Sequence, residues 1–418
     1  MANTENTKAF YNVRIPSDWE VSKFGTVCEK LLDGTHFSPK SKEGPFKYIT
    51  SKNIRNEGLD MENMSYVSET EHFEIYKRCP VQYGDILLTK DGAGTGACCI
   101  NTLKEEFSLL SSVAVLRTRS SKMINEYLLH FIKSPLGQKI IQDAISGQAI
   151  TRITLEKIRA FKVTAPPLPE QRAIAQVLSL MDSTIHTNNQ LIAQKELRKK
   201  WLMQELLTGK KRLRGFEGVW KETKLVKLFN QIKNVNDGEE IHSIMTISSK
   251  LGLISQEDKF DRVIAGDSLK KYTQLEKEDF AYNKGNSKTY PMGCIYQLED
   301  KESALVPFVY ICFSPSELVD AKFYKHWFLA HGLDRQLNKI ITSGARGDGL
   351  LNVNTDDFFK LNVPFPPKEE QTAIAQVLQT ADKEIQLLKA KTERLKEQKK
   401  GMMQVLLTGK KRLKIETN

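Results

Sequence analysis

A mixed α/β chain is predicted, in which two globular domains are joined by two long antiparallel coiled-coil helices with a pseudo-twofold repeat. Three observations predict it. A block of residues recurs at a fixed offset of 200, with Glu170-Gln171 returning as Glu370-Gln371. Within that block apolar residues fall at alternating steps of four and three. The segment ahead of each block mixes short strand-like runs with later helical stretches.

The repeat organises the rest. Ala173-Ile174-Ala175-Gln176-Val177-Leu178 returns as Ala373-Ile374-Ala375-Gln376-Val377-Leu378, Asp182 as Asp382, Ile185 as Ile385, and Leu206 through Leu213 as Leu406 through Leu413. No insertion separates these anchors, and constant length belongs to a rigid element, not to a flexible linker. Each block follows a proline cluster, Pro166-Pro167-Leu168-Pro169 or Pro364-Phe365-Pro366-Pro367. Such a cluster suits the first turn of a helix and cannot lie further inside it. Each block closes at Thr-Gly, with Gly209 or Gly409 as C-cap and Lys-Lys-Arg behind it to face the helix dipole. A helix from about Glu170 to Thr208 spans on the order of 55–60 Å.

Along the first block the seam reads Ile174, Leu178, Met181, Ile185, Ile192, Leu202 and Leu206; along the second, Ile374, Leu378, Ala381, Ile385, Leu388, Leu395, Met402 and Leu406. This is coiled-coil spacing, so the two copies are expected to pack on each other. Asn188, Lys195, Lys199, Thr392 and Lys399 put polar groups on the seam, where they fix register at a cost in stability.

The heads carry strand-like runs, Ile86-Leu87-Leu88-Thr89, Val113-Ala114-Val115-Leu116 and Val309-Tyr310-Ile311-Cys312-Phe313, and helical stretches at Asn125–Ile145 and Asp320–Ile341. They share faint landmarks: Trp19 with Trp220, Ser146-Gly147 with Ser343-Gly344, and a terminal Phe161-Lys162-Val163 with Leu361-Asn362-Val363. The expected domains are a first head over 1–165, a first long helix over 166–213, a second head over 214–363, and a second helix with its tail over 364–418. Near-identical helices with diverged heads suit two domains of one architecture that bind different ligands.

With 418 residues, 40% of them hydrophobic, the chain can fill more than one core. The net charge of +11 favours an anionic partner. Six cysteines lack a Cys-x-x-Cys pair or metal-ligand spacing, as in a reduced cytoplasmic protein without a zinc site. Neither a signal sequence nor a membrane span is expected.

Asp91-Gly92-Ala93-Gly94-Thr95-Gly96 follows a strand as a phosphate loop does, but no Gly-Lys-Ser/Thr follows and Ala97-Cys98-Cys99-Ile100 has strand character. A glycine-rich hairpin turn is the better reading. The polar loop Asp33-Gly34-Thr35-His36-Phe37-Ser38-Pro39-Lys40 holds a single histidine without the partners a metal needs. Thr35, His36, Ser38 and Lys40 are instead candidate DNA contacts. Lys52, Asn53 and Arg55 follow, the amide suited to adenine and the guanidinium to guanine or phosphate; a solvated surface loop is the competing reading. Lys90, Arg152 and Lys250 complete the scattered candidates. In the second head Tyr282-Asn283-Lys284-Gly285-Asn286-Ser287-Lys288-Thr289-Tyr290 interleaves aromatic, amide and basic groups, which makes Lys284, Asn286, Ser287, Lys288 and Tyr290 candidates. Gly344-Ala345-Arg346-Gly347-Asp348-Gly349 frames Arg346 with glycines that allow close backbone approach. The Lys-Lys-Arg runs at 210–212 and 410–412 read as helix-end charges, not base readers.

Taken together, the Pro-Pro-x-x-Glu-Gln and Ala-Ile-Ala-x-Val-Leu helix starts, the Leu-Leu-Thr-Gly-Lys ends, Gly84-Asp85-Ile86-Leu87, Asp33-Gly34-Thr35-His36 and Ser343-Gly344-Ala345-Arg346-Gly347-Asp348 carry a resemblance. Over nearly its whole length the chain resembles the specificity subunit of a type I restriction-modification enzyme. The resemblance implies two target-recognition domains, each followed by a long helix, the helices pairing antiparallel and each domain reading one half of a bipartite DNA target. It implies two adenine methyltransferase subunits docked on this chain and two motor-nuclease subunits that join for restriction. S-adenosylmethionine, ATP and magnesium are then expected on those partners, and no cofactor here. No Asp/Asn-Pro-Pro-Tyr/Phe, Walker A or zinc-deaminase motif is present, in keeping with a subunit not catalytic by itself. The alternatives are the specificity subunit of a type II-like methyltransferase-nuclease, and a coiled-coil scaffold whose heads bind protein.

Overall fold

The computed structural model describes residues 6–41, 43–145, 151–236, 243–249, 251–260, 266–285, 289–341 and 351–413. The chain divides into two compact units, Met1–Leu191 with Leu388–Asn418, and Ile192–Leu387. Where chain order suggests four successive segments, the division instead cuts both long helices near their middles. Each head keeps half of each helix.

In the first unit the strands Cys98–Ile100, Ile86–Thr89, Val113–Thr118 and Cys28–Asp33 lie side by side in that order, all antiparallel. The run Ile86-Leu87-Leu88 is apolar throughout because both faces of its strand are covered. Ile86 and Leu88 point into one core with Trp19, Phe131 and Leu178, and Leu87 into another with Ile49, Phe107 and Val115. A smaller sheet pairs Phe46–Ile49 parallel to Ser108–Leu109 and antiparallel to Ser65–Val67. The glycine-rich run at 91–96 does turn between two antiparallel strands. The stretch expected to be helical from Asn125 to Ile145 is two helices, Asn125–Lys133 and Pro135–Ala144. The break falls at Ser134, which caps the second by accepting from Gly137 N–H, with Pro135 in its first position.

The second unit repeats this topology in a diverged sequence. Its strands run Cys294–Gln297, Phe280–Asn283, Ile311–Pro315, Phe229–Gln231, and a parallel pair joins Ser243–Ser248 to Ser303–Val306. The strand expected from Val309 begins two residues later, since Tyr310 N–H closes a turn on the Pro307 carbonyl at 3.0 Å. The helices Ala321–Leu329 and Asp334–Ile340 take the places of the first unit's pair.

Both long helices have 39 residues, Leu168–Leu206 and Lys368–Leu406, or about 58 Å. Within each unit the halves run antiparallel: Asp182 pairs with Lys399 in the first, and Lys195 with Glu384 and Lys199 with Asp382 in the second. The seam lysines thus meet carboxylates. Ile174, Leu178, Met403 and Leu406 are buried in the first core, and Ile374, Leu378 and Leu206 in the second.

The repeated Glu-Gln pair clasps each helix start to its head. Buried Glu170 accepts from Trp19 Nε1 at 3.2 Å and from two nitrogens of Arg412 at 2.5 and 2.6 Å. Glu370 accepts from Trp220 Nε1 at 2.9 Å and from Arg212 at 2.6 Å twice. Gln171 accepts from Ile124 N–H and donates to the carbonyls of Lys122 and Pro166; Gln371 accepts from Asp320 N–H and donates to Pro366. Gly409, at φ 68, ends its helix against the head, where a Cβ would lie 2.4 Å from the Pro16 ring.

A buried histidine sits beside the repeated aspartate in each unit. His130 Nε2 is 2.9 Å from Ser179 Oγ and its Nδ1 is 3.9 Å from Asp182; His326 lies 3.9 Å from Asp382. Burial pushes both imidazoles down to about 4, against the pull of Asp182 and Asp382 and aided by Lys399 and Lys133 in one unit and Lys325 and Lys199 in the other. An unfolded histidine takes up its proton near pH 6.5, so between about 6.5 and 4 the unfolded chain binds more protons and stability falls as the pH falls. The loss is on the order of 3 kcal/mol per histidine. Thermal midpoints are expected to drop across this window, and the double variant His130→Gln/His326→Gln to flatten the drop; parallel profiles would trace it to other groups.

Candidate nucleic-acid interface

Three strand ends meet at one edge of the first head's sheet: Asp33 lies opposite Ala114, and Thr89 opposite Val113. The chain leaving each end supplies candidates. After Asp33, Gly34 passes so close to the neighbouring strand that a Cβ would lie 1.8 Å from the Leu109 carbonyl oxygen, so only glycine fits. Thr35 N–H then donates to Leu109 O, and Ser111 N–H to Thr35 O, both at 2.8 Å. After Thr89, Lys90 N–H bonds Ser112 O at 2.9 Å, while Ser112 Oγ accepts from Ser51 N–H at 3.2 Å. That contact brings Lys52 and Asn53 to the same edge. Arg152 arrives through a bridge with Asp91, and Ile153 N–H donates to Lys90 O at 2.9 Å. Candidates from four distant segments therefore converge.

Burial sorts them. His36, Phe37, Ser38, Lys52 and Arg152 are exposed. Three expected contacts are corrected. Lys90 is only 1% exposed, with Nζ 2.9 Å from Asp91 and 3.4 Å from Asp33, so its charge is spent inside the head. Asn53 is buried; its Oδ1 accepts from Thr50 N–H at 3.0 Å and its Nδ2 donates to Asp60 O at 3.2 Å, leaving no amide edge for adenine. Thr35 is buried, its hydroxyl accepting from Phe37 N–H at 3.2 Å. Lys40 is exposed on a loop tied to Glu71, and Arg55 is exposed on a small hairpin, 3.3 Å from Asp60.

In the second head Lys284 occupies the position of Lys90, with Leu351 N–H donating to its carbonyl at 2.9 Å. Tyr282, which opens the run that ends at Tyr290, is a core residue whose hydroxyl donates to Met292 O. Tyr290 is half-buried and stacks on His331 at 4.8 Å. Lys250, Asn286, Ser287, Lys288 and Arg346, with the Ser146-Gly147 and Ser343–Asp348 landmarks, lie outside the described residues. Asp33 and Asp91 escaped the sequence reading, one as a loop opener and the other as part of a glycine turn. No pattern of residue types marks them.

All six cysteines are buried, and burial pushes Cys28 and Cys98 up to about 12, so no thiolate nucleophile is on offer. Among the described residues no helix is long and apolar enough to cross a membrane.

Two heads of one topology, clasped to paired helices, with an edge of hydroxyl, imidazole, ammonium and guanidinium donors, define a two-headed binding protein suited to a polyanion. Residues 16–196 and 266–397 match the family model described as type I restriction modification DNA specificity domain, and the chain belongs to that family. The resemblance read from the helix ends is therefore borne out. The chain is 26% identical over 439 residues to the type I restriction enzyme MjaVIII specificity subunit of Methanocaldococcus jannaschii, covering 98% of this chain and 97% of that one. It is 22% identical over 264 residues to the EcoKI specificity subunit of Escherichia coli, covering 59% and 57%. In fold it is similar to the S subunit of the M. genitalium type I system, with a TM-score of 0.57 at 14% identity and 96% and 97% of the chains covered.

Proposed function

We propose that this chain is the non-catalytic DNA-reading subunit of a type I restriction-modification complex, each head reading one half of a bipartite target. The observation that carries it is the same topology built twice, with the strand-end edges differing in residue type. On this reading two methyltransferase subunits dock on the chain and methylate adenine, two motor-nuclease subunits join for restriction, and S-adenosylmethionine, ATP and magnesium are held by those partners. The complex works in the cytoplasm, where its DNA is.

The test is to express the chain with its methyltransferase and read adenine methylation genome-wide by single-molecule sequencing, with and without this gene. A bipartite motif that vanishes without the gene is expected. Arg152→Ala should weaken recognition of one half by about 1–3 kcal/mol and leave the other unchanged. Sequence-independent, salt-insensitive DNA binding would favour a scaffold that binds protein.

A further inference from the structure

The first head encloses a charge cluster whose two carboxylates have no counterpart at the matching strand positions of the second head. Lys90 Nζ lies between Asp91 Oδ2, at 2.9 Å, and Asp33 Oδ2, at 3.4 Å. The other oxygen of each aspartate faces a second nitrogen: Asp33 Oδ1 lies 3.4 Å from His36 Nε2, and Asp91 Oδ1 lies 3.4 Å from Arg152 Nε. The outer partners are exposed, His36 by 48% and Arg152 by 57% of their side chains, while Lys90 is enclosed. Burying Lys90 and Asp33 beside a partly buried Asp91 is expensive, and an apolar trio of similar volume is often as stable.

Strand register shows that the fold does not require carboxylates at these two positions. In the second head Lys284 stands at the Lys90 position, Lys233 at that of Asp33, and Gly285 at that of Asp91. The same sheet thus closes the same edge without either carboxylate. A pair of carboxylates that stands at these positions in one head and not in the other belongs to what distinguishes them.

We infer that Lys90 is a positioning residue for the first head's sequence preference: it holds Asp33 and Asp91 from within so that they aim His36 and Arg152 at the DNA. The inference rests on the reading of the heads as half-site readers. Lys90 also offsets two carboxylates that would otherwise stand behind an edge facing phosphates.

The test uses the complete chain with its methyltransferase, first defining the wild-type bipartite motif, then measuring methylation of duplexes carrying each single base substitution. Lys90→Met should cut discrimination at one or two base pairs of one half-site about tenfold, leaving the second half-site as in the wild type. Because Lys90→Met leaves two uncompensated aspartates, the triple variant Asp33→Asn/Lys90→Met/Asp91→Asn is measured beside it. Wild-type thermal stability with relaxed first-half discrimination in the triple variant supports positioning. Discrimination that returns together with stability would make the cluster structural and overturn the inference, as would unchanged discrimination in Lys90→Met. Failure of the wild type to show any bipartite motif would instead sink the half-site reading itself.

Discussion

Arg212→Ala is expected to destabilise the second unit by about 3–5 kcal/mol, a large share of a domain's stability. Its partner Glu370 is wholly buried. With the guanidinium gone, the carboxylate keeps only the Trp220 indole N–H, and an unmatched buried charge costs far more than the intact pair contributes. Arg212 also donates to the carbonyls of Glu217 and Gly218, so the chain leaving the helix loosens with it. Arg212→Lys should recover part of the loss, since an ammonium cannot fork across both carboxylate oxygens. Arg412→Ala should cost less, because that side chain is 42% exposed and shares its charge with Asp18. Chemical denaturation followed by tryptophan fluorescence reads all three. A change under about 0.5 kcal/mol for Arg212→Ala, the scale of an ordinary surface substitution, would show that the clasp carries no weight.

Exchanging the second head for that of a relative is expected to replace one half of the methylated motif outright and leave the other untouched. The structure moves the cut. A boundary at residue 363 would split the strand Asn362–Phe365, which pairs with Lys221–Lys224 from Lys221 opposite Phe365 to Lys224 opposite Asn362. Residues 214–365 keep that pair whole. Methylation sequencing of the chimaera reads the outcome, and a change in both halves would mean that the heads do not read independently.

The helices were legible because a heptad seam and a fixed-length repeat are local, periodic signals. The clasp was half legible. The Glu-Gln pair stood out by recurrence, but the partners of its glutamates are 150 to 242 residues away, and the tryptophans registered only as faint landmarks. At the candidate edge residue type named the right loops but not the right side chains. Thr35, Asn53 and Lys90 have the chemistry of DNA contacts, and only packing shows that they spend it within the head. The break at Ser134 was hidden because Pro135 suits a helix start as well as it interrupts a helix.

The division of the chain has a consequence for its synthesis. Domains commonly fold in the order in which they leave the ribosome. Here the first head emerges first, yet Glu170 meets Arg412 only 242 residues later, and Ile174 and Leu178 wait nearly as long for Met403 and Leu406. The second unit is one continuous stretch whose own clasp spans 158 residues. What is made first is finished last. Throughout that interval the nascent first head carries an apolar helix face and an unmatched carboxylate, which only the closing half of the second helix can cover.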